Sequence, residues 1–108
     1  MKTGDIVLVP YPFAELTNVK VRPALVITTT KDKYQDILVS AITSVVRGKT
    51  GDFEILLQPN KTNNLRAISI IKVDRIVTLK KEDVITTLGK LSLTQLKVFK
   101  AKFRKLVD

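Results

Sequence analysis

The side chains that could do chemistry are few and lie at separate points of the chain. Arg22 stands immediately before Pro23, Thr43 and Ser44 are adjacent, and Lys72 and Asp74 are two residues apart. There is no histidine and no cysteine, so the usual nucleophilic triads and thiol chemistry have no members and structural zinc has no good ligands. Glu82 and Asp83 are neighbours, but on an expected turn they read as a solvated helix-start signal rather than a metal site. The glycines at positions 4, 48, 51 and 89 are isolated, which leaves no phosphate-cradling loop for nucleotide-driven chemistry. No metal and no cofactor is expected. One reaction survives these exclusions, because RNA carries its own nucleophile. A 2′-hydroxyl can attack the neighbouring phosphate if a base takes its proton, an acid protonates the departing 5′-oxygen and cations stabilise the charge on phosphorus. Arg, Lys, Thr, Ser and Asp can supply all of these roles.

The elements that must position such groups are short. Residues 5–9, 23–29, 37–43, 53–57 and 67–79 have the length and β-branched content of strands, and residues 84–88 form a sixth short run. Strands joined by loops rather than helices predict an antiparallel sheet, and apolar runs at consecutive positions predict that parts of it are covered on both faces. A small barrel with a helix packed on it meets both demands. The helix is expected over about 92–107. Ser92-Leu93-Thr94-Gln95 fits a capping box, and Leu96, Phe99, Phe103, Leu106 and Val107 make one apolar stripe. Lys97, Lys100, Lys102, Arg104 and Lys105 occupy the other side and read first as a solvated face. In an extended strand Lys72 and Asp74 would point to the same face.

With 108 residues, 44% of them hydrophobic, the chain is expected to form one domain over 1–108, without a signal peptide or a membrane span. The absence of cysteine is compatible with a cytoplasmic setting. Nineteen Lys and Arg against ten Asp and Glu give a formal charge of +9. Such a surface attracts polyanions by releasing their condensed counterions, so nucleic acid and an acidic protein are the partners charge favours.

GDIVLVPYPF, followed by a loop and then RPALVI, resembles the N-terminal signature of the MazF/PemK family of toxin–antitoxin ribonucleases, in its PemK-like branch. SAIT at 40–43, LRAISIIKVDRIVTL at 65–79 and GKLS followed by a helix extend the likeness over essentially the whole chain. The resemblance implies an SH3-like barrel with a C-terminal helix, a homodimer, and metal-independent cleavage of single-stranded RNA that leaves a 2′,3′-cyclic phosphate and a 5′-hydroxyl. It also implies a cognate acidic antitoxin, with which such toxins bind DNA as a complex. The family's arginine of the RP pair falls on Arg22 and its threonine after the third strand on Thr43, while the arginine and aspartate used by some members fall on Lys72 and Asp74. Lysine in place of arginine keeps a point charge but loses a planar, bidentate grip.

Each residue also has a plainer role open to it. Arg22 could be a strand-edge ion pair, Thr43 an ordinary β-branched strand residue, Ser44 the start of a turn, and Asp74 a structural partner of Arg75 or Lys72 rather than a general base. Lys20, Ser44, Arg47, Lys49 and Lys72 are expected to bind the RNA, Arg47 and Lys49 by steering its backbone and Lys72 as an auxiliary cation, and Tyr11 and Phe13 either stack a base or anchor their loop. Two other functions fit the same barrel. One is a non-catalytic toxin of the gyrase-inhibitor type, acting through Lys105 to Asp108; the other is a plain nucleic-acid-binding barrel.

Overall fold

A computed structural model describes residues 1–11 and 20–108, with the backbone alone at residue 11. Six strands form one antiparallel sheet: β1 (Asp5–Tyr11), β2 (Lys20–Thr29), β3 (Ile37–Thr43), β4 (Glu54–Leu57), β5 (Ser69–Leu79) and β6 (Thr86–Lys90), in the order β4-β5-β3-β2-β1-β6. A single α1 helix (Leu93–Lys105) follows β6. The expected architecture, mainly β with a C-terminal helix, is therefore the one found. The sheet curls into a half-barrel, with register shifts in the β2–β3 and β3–β5 ladders where strands bend.

Both faces of the central strands are apolar, and each is covered. Ile6, Leu25, Ile42, Leu57 and Ile71 point to the helix side, where Leu91 and Phe99 close the core and Leu96, Phe103 and Leu106 pack against it. Val7, Val9, Ala24, Val26, Ile37 and Val39 form a second cluster on the opposite face, with Val77, Leu79 and Val84 packed against it. This division explains the consecutive apolar residues of the sequence, since alternate positions serve different cores. Val107 does not join the helical stripe: it lies beyond the end of α1 and is 87% exposed.

The start of α1 follows the capping logic only in part. Ser92 Oγ accepts from the Gln95 N–H at 3.2 Å, whereas the Gln95 carboxamide takes the serine hydroxyl at 3.3 Å. Phe99 and Phe103, one turn apart, stack with ring centroids 5.8 Å apart. Glu82 and Asp83 sit in an exposed 3-10 turn, Lys81–Asp83, between β5 and β6.

The edge strand β6 is covered by the 58–66 loop. Lys90 N–H donates to the Thr62 carbonyl at 3.0 Å, and Asn64 Nδ2 donates to the Leu88 carbonyl at 2.8 Å. Gly89 permits this approach, because a Cβ there would lie against the Thr62 and Asn63 carbonyl groups. The loop itself is organised by buried Asn63, whose Oδ1 accepts from Asn60 and Leu65 N–H while its Nδ2 donates to the Gln58 carbonyl.

Candidate RNA-binding groove

Two irregularities in the sheet open a groove of about 700 Å³. The first is at Pro23. Proline has no N–H to give to a ladder, and the pairing of β2 with β3 runs only from Thr29 to Ala24. Beyond that point Arg22 on β2 and Thr43 at the end of β3 both line the groove. Arg22 is half-buried and held opposite Val9 of β1. Thr43 accepts the Val45 N–H on Oγ1 at 3.1 Å, which turns the chain out of β3 and leaves the hydroxyl proton to donate elsewhere.

The second irregularity is a bulge in β5. Ser40 of β3 pairs with Ile76, but its neighbour Ala41 pairs with Lys72, so Val73, Asp74 and Arg75 are extra residues against a continuous β3. The bulge is pinned at Val73. Its carbonyl accepts from the wholly buried Ser40 hydroxyl at 3.0 Å, and its N–H donates to the Phe53 carbonyl at 2.9 Å. Val73 faces the core while Asp74 and Arg75 are exposed on the groove wall. The simple two-residue alternation expected of Lys72 and Asp74 is thus interrupted, although both side chains still reach the same groove.

The floor between these features is made by small and apolar side chains, Ala41 and Ile70 among them. Ala41 stands next to Lys72 in the register, and its single methyl leaves the room that a larger residue would fill. The walls carry four cations, Arg22, Arg47, Lys72 and Arg75, against two carboxylates, Glu54 and Asp74. The excess of positive charge in a concave site suits a phosphate-bearing ligand. A groove of this volume lies within the usual range of ligand clefts.

The structural pairing weighed for Asp74 falls elsewhere. Lys72 Nζ lies 2.7 Å from Glu54 Oε2 across the β4–β5 ladder, where the two residues are directly opposite. The hydrogen bond from Lys72, then that from the Gly51 N–H, holds the Glu54 carboxyl below its ordinary value of 4.5. Sequence reasoning passed over Glu54 and Ala41. Glu54 is visible only once β4 is set against β5, and Ala41 only once the bulge shows that its face is open.

Of the other expected contacts, Arg47 lines the groove, whereas Lys20, Ser44 and Lys49 are exposed and do not. Phe13 and the side chain of Tyr11 lie outside the described residues. On α1, Lys97, Lys100, Arg104 and Lys105 are exposed, while Lys102 donates to the Asp52 carbonyl at 2.6 Å and ties the helix to the turn before β4.

A family profile described as PemK-like, MazF-like toxin of type II toxin–antitoxin system matches residues 2–107. The chain belongs to this family. The MazF/PemK fold is also evident in solved structures. The Mycobacterium tuberculosis toxin MazF-mt6 superposes with a TM-score of 0.71 at 21% identity, over 94% of this chain and 93% of that one. A mycobacterial endoribonuclease in complex with its cognate antitoxin gives a TM-score of 0.72 at 14% identity, over 94% and 89%. MazF from Deinococcus radiodurans gives 0.66 at 22% identity, over 97% and 93%. Comparison with curated proteins by sequence finds no match. Among the described residues of this MazF/PemK chain, no helix is long and apolar enough to cross a membrane.

Proposed function

We propose that this MazF/PemK toxin is an endoribonuclease that cleaves single-stranded RNA without a metal. The 2′-hydroxyl attacks the adjacent phosphorus, and the products carry a 2′,3′-cyclic phosphate and a 5′-hydroxyl. The observation that carries this reading is that Arg22 and Thr43, far apart in sequence, line one cationic groove with Lys72 and Asp74. Arg22 stabilises the charge that builds on the phosphate oxygens and serves as proton donor to the leaving oxygen. The Thr43 hydroxyl, accepting the Val45 N–H, donates its own proton to a phosphate oxygen. Asp74, exposed on the bulge, takes the proton of the 2′-hydroxyl. Arg47 holds the RNA backbone at the rim. The toxin acts as a homodimer in the cytoplasm, where its substrate is, and is silenced by an acidic antitoxin that competes for the positive groove.

The test is incubation of the purified protein with single-stranded RNA in excess EDTA, followed by analysis of the product ends. Cleavage with cyclic-phosphate ends is expected. Intact RNA, or cleavage that disappears on chelation, refutes the mechanism. Arg22→Ala is expected to abolish turnover while leaving the fold intact; an unchanged rate refutes the assignment, and retained toxicity with no cleavage by either form points to a protein target.

A further inference from the structure

Glu54 has no part in the chemistry just described, yet its carboxylate is inside the groove. Negative charge there works against an incoming phosphate, so its presence calls for a physical reason. Both of its oxygens are engaged. Oε1 accepts from the Gly51 N–H at 2.8 Å and Oε2 from Lys72 Nζ at 2.7 Å. The backbone closes the same turn, with the Glu54 N–H donating to the Gly51 carbonyl at 3.1 Å, and Lys102 grips the neighbouring Asp52 carbonyl. The carboxylate is therefore fixed by its own backbone before it meets the lysine.

We infer that Glu54 is a positioning residue for Lys72, fixing the direction of the ammonium in the groove at the expense of RNA affinity. This inference rests on the ribonuclease reading of the groove. A lysine ammonium is a point charge on a flexible four-carbon stem, and it has three protons to give. Donating one of them to an anchored carboxylate restricts the remaining two to a defined arc, which is the directional constraint that a guanidinium has by its own planarity. Ala41, the cross-strand neighbour on the other side of Lys72, is too small to supply that constraint by packing. Both Glu54 oxygens already hold a donor, one of them a cation, which lowers the basicity of the carboxylate and suits it to positioning rather than to taking a substrate proton. The compensating loss is electrostatic, because Glu54 cancels part of the field that draws in the phosphate backbone.

Glu54→Gln separates the two effects. In glutamine one of the two oxygens becomes an NH2 donor and the charge is lost, so the Gly51 N–H and the ammonium can no longer each keep the separate oxygen they now hold. Turnover of a cleavable RNA is expected to fall about tenfold or more, as a misplaced group would cause. The Kd for the same sequence with every 2′-hydroxyl methylated, which removes the nucleophile, is expected to tighten by about threefold at low salt. Relaxation of the 15N-labelled Lys72 ammonium should report a more mobile group. In a Lys72→Met background, Glu54→Gln should leave turnover unchanged, since the residue it positions is gone. The inference is overturned if turnover of the single variant stays within about twofold, if the ammonium is as ordered as before, or if the two substitutions multiply. Absence of cleavage by the unsubstituted protein refutes the ribonuclease reading instead, and the affinity and ammonium measurements still decide the role of Glu54.

Discussion

Replacing Ser40 with alanine tests whether the β5 bulge, and not only the charges on it, makes the groove. Ser40 is completely buried and its hydroxyl donates to the Val73 carbonyl at 3.0 Å. Removing the donor forfeits a net hydrogen bond and leaves that acceptor less satisfied in the interior, for a total of about 2 kcal/mol. For a chain of this size each kcal/mol lowers Tm by roughly 4–8 °C, so a fall of about 10 °C is expected. Urea unfolding at one fixed protein concentration measures the difference, with an unchanged slope showing that the same surface is exposed. RNA cleavage, followed well below the lowered Tm, should also fall, because Val73 precedes Asp74 and Arg75 on the groove wall. Ser69→Ala is the control: Ser69 is equally a buried β5 serine, but its hydroxyl donates locally to Ala67, away from the bulge. It should lower stability while leaving the cleavage rate of the folded protein intact. A loss below about 0.5 kcal/mol for Ser40→Ala, the size of an ordinary surface change, would refute the reasoning. So would equal effects of the two substitutions on cleavage.

Ala41→Leu should fill the groove floor, reducing RNA cleavage by about tenfold or more with Tm shifted by only a few degrees, because the added carbons enter open space rather than a packed core; paired cleavage and melting assays check this. The Glu54 carboxyl titrates below its ordinary value of 4.5 in the folded chain, so the stability it contributes is present above that pH and is lost as pH falls through the folded-state value. Urea midpoints measured from pH 6 downward should therefore fall more steeply for the natural sequence than for Glu54→Gln, with parallel curves counting against the ion pair. Gly89→Ala forces a methyl against the Thr62 and Asn63 carbonyl groups and should cost about 2 kcal/mol or more, read from the same urea midpoints.

Much of the fold is legible in the chain because one face of each strand must be buried. The third strand is found over the expected residues 37–43, and the helix start at Ser92 is marked by its cap. The second strand runs back to Lys20 rather than starting at Pro23, because its outer half needs only β1 as a partner. The sixth strand is found two residues later than expected, at Thr86–Lys90; Val84 packs against the second core cluster and Ile85 N–H donates to the Leu8 carbonyl at 2.8 Å as the chain enters the strand. Arg22 and Thr43 could be picked out by their motifs and are brought to one groove. Glu54 could not, because its partner is set by a cross-strand register that no local pattern encodes. The bulge was equally hidden: KVDRI has the composition of a plain strand, and only the mismatch with β3 shows where its ladder breaks.

That break divides β5 between two kinds of inheritance. Val73 answers to the core and to the two hydrogen bonds that hold it, whereas Asp74 and Arg75 stand outside the ladder with β3. Substitutions at Arg75 can alter the charge of the groove wall without disturbing the strand pairing on either side, while Asp74 is held to its part in the proposed cleavage. A lineage carrying this bulge can therefore diverge in target preference while its scaffold stays under separate, stricter selection.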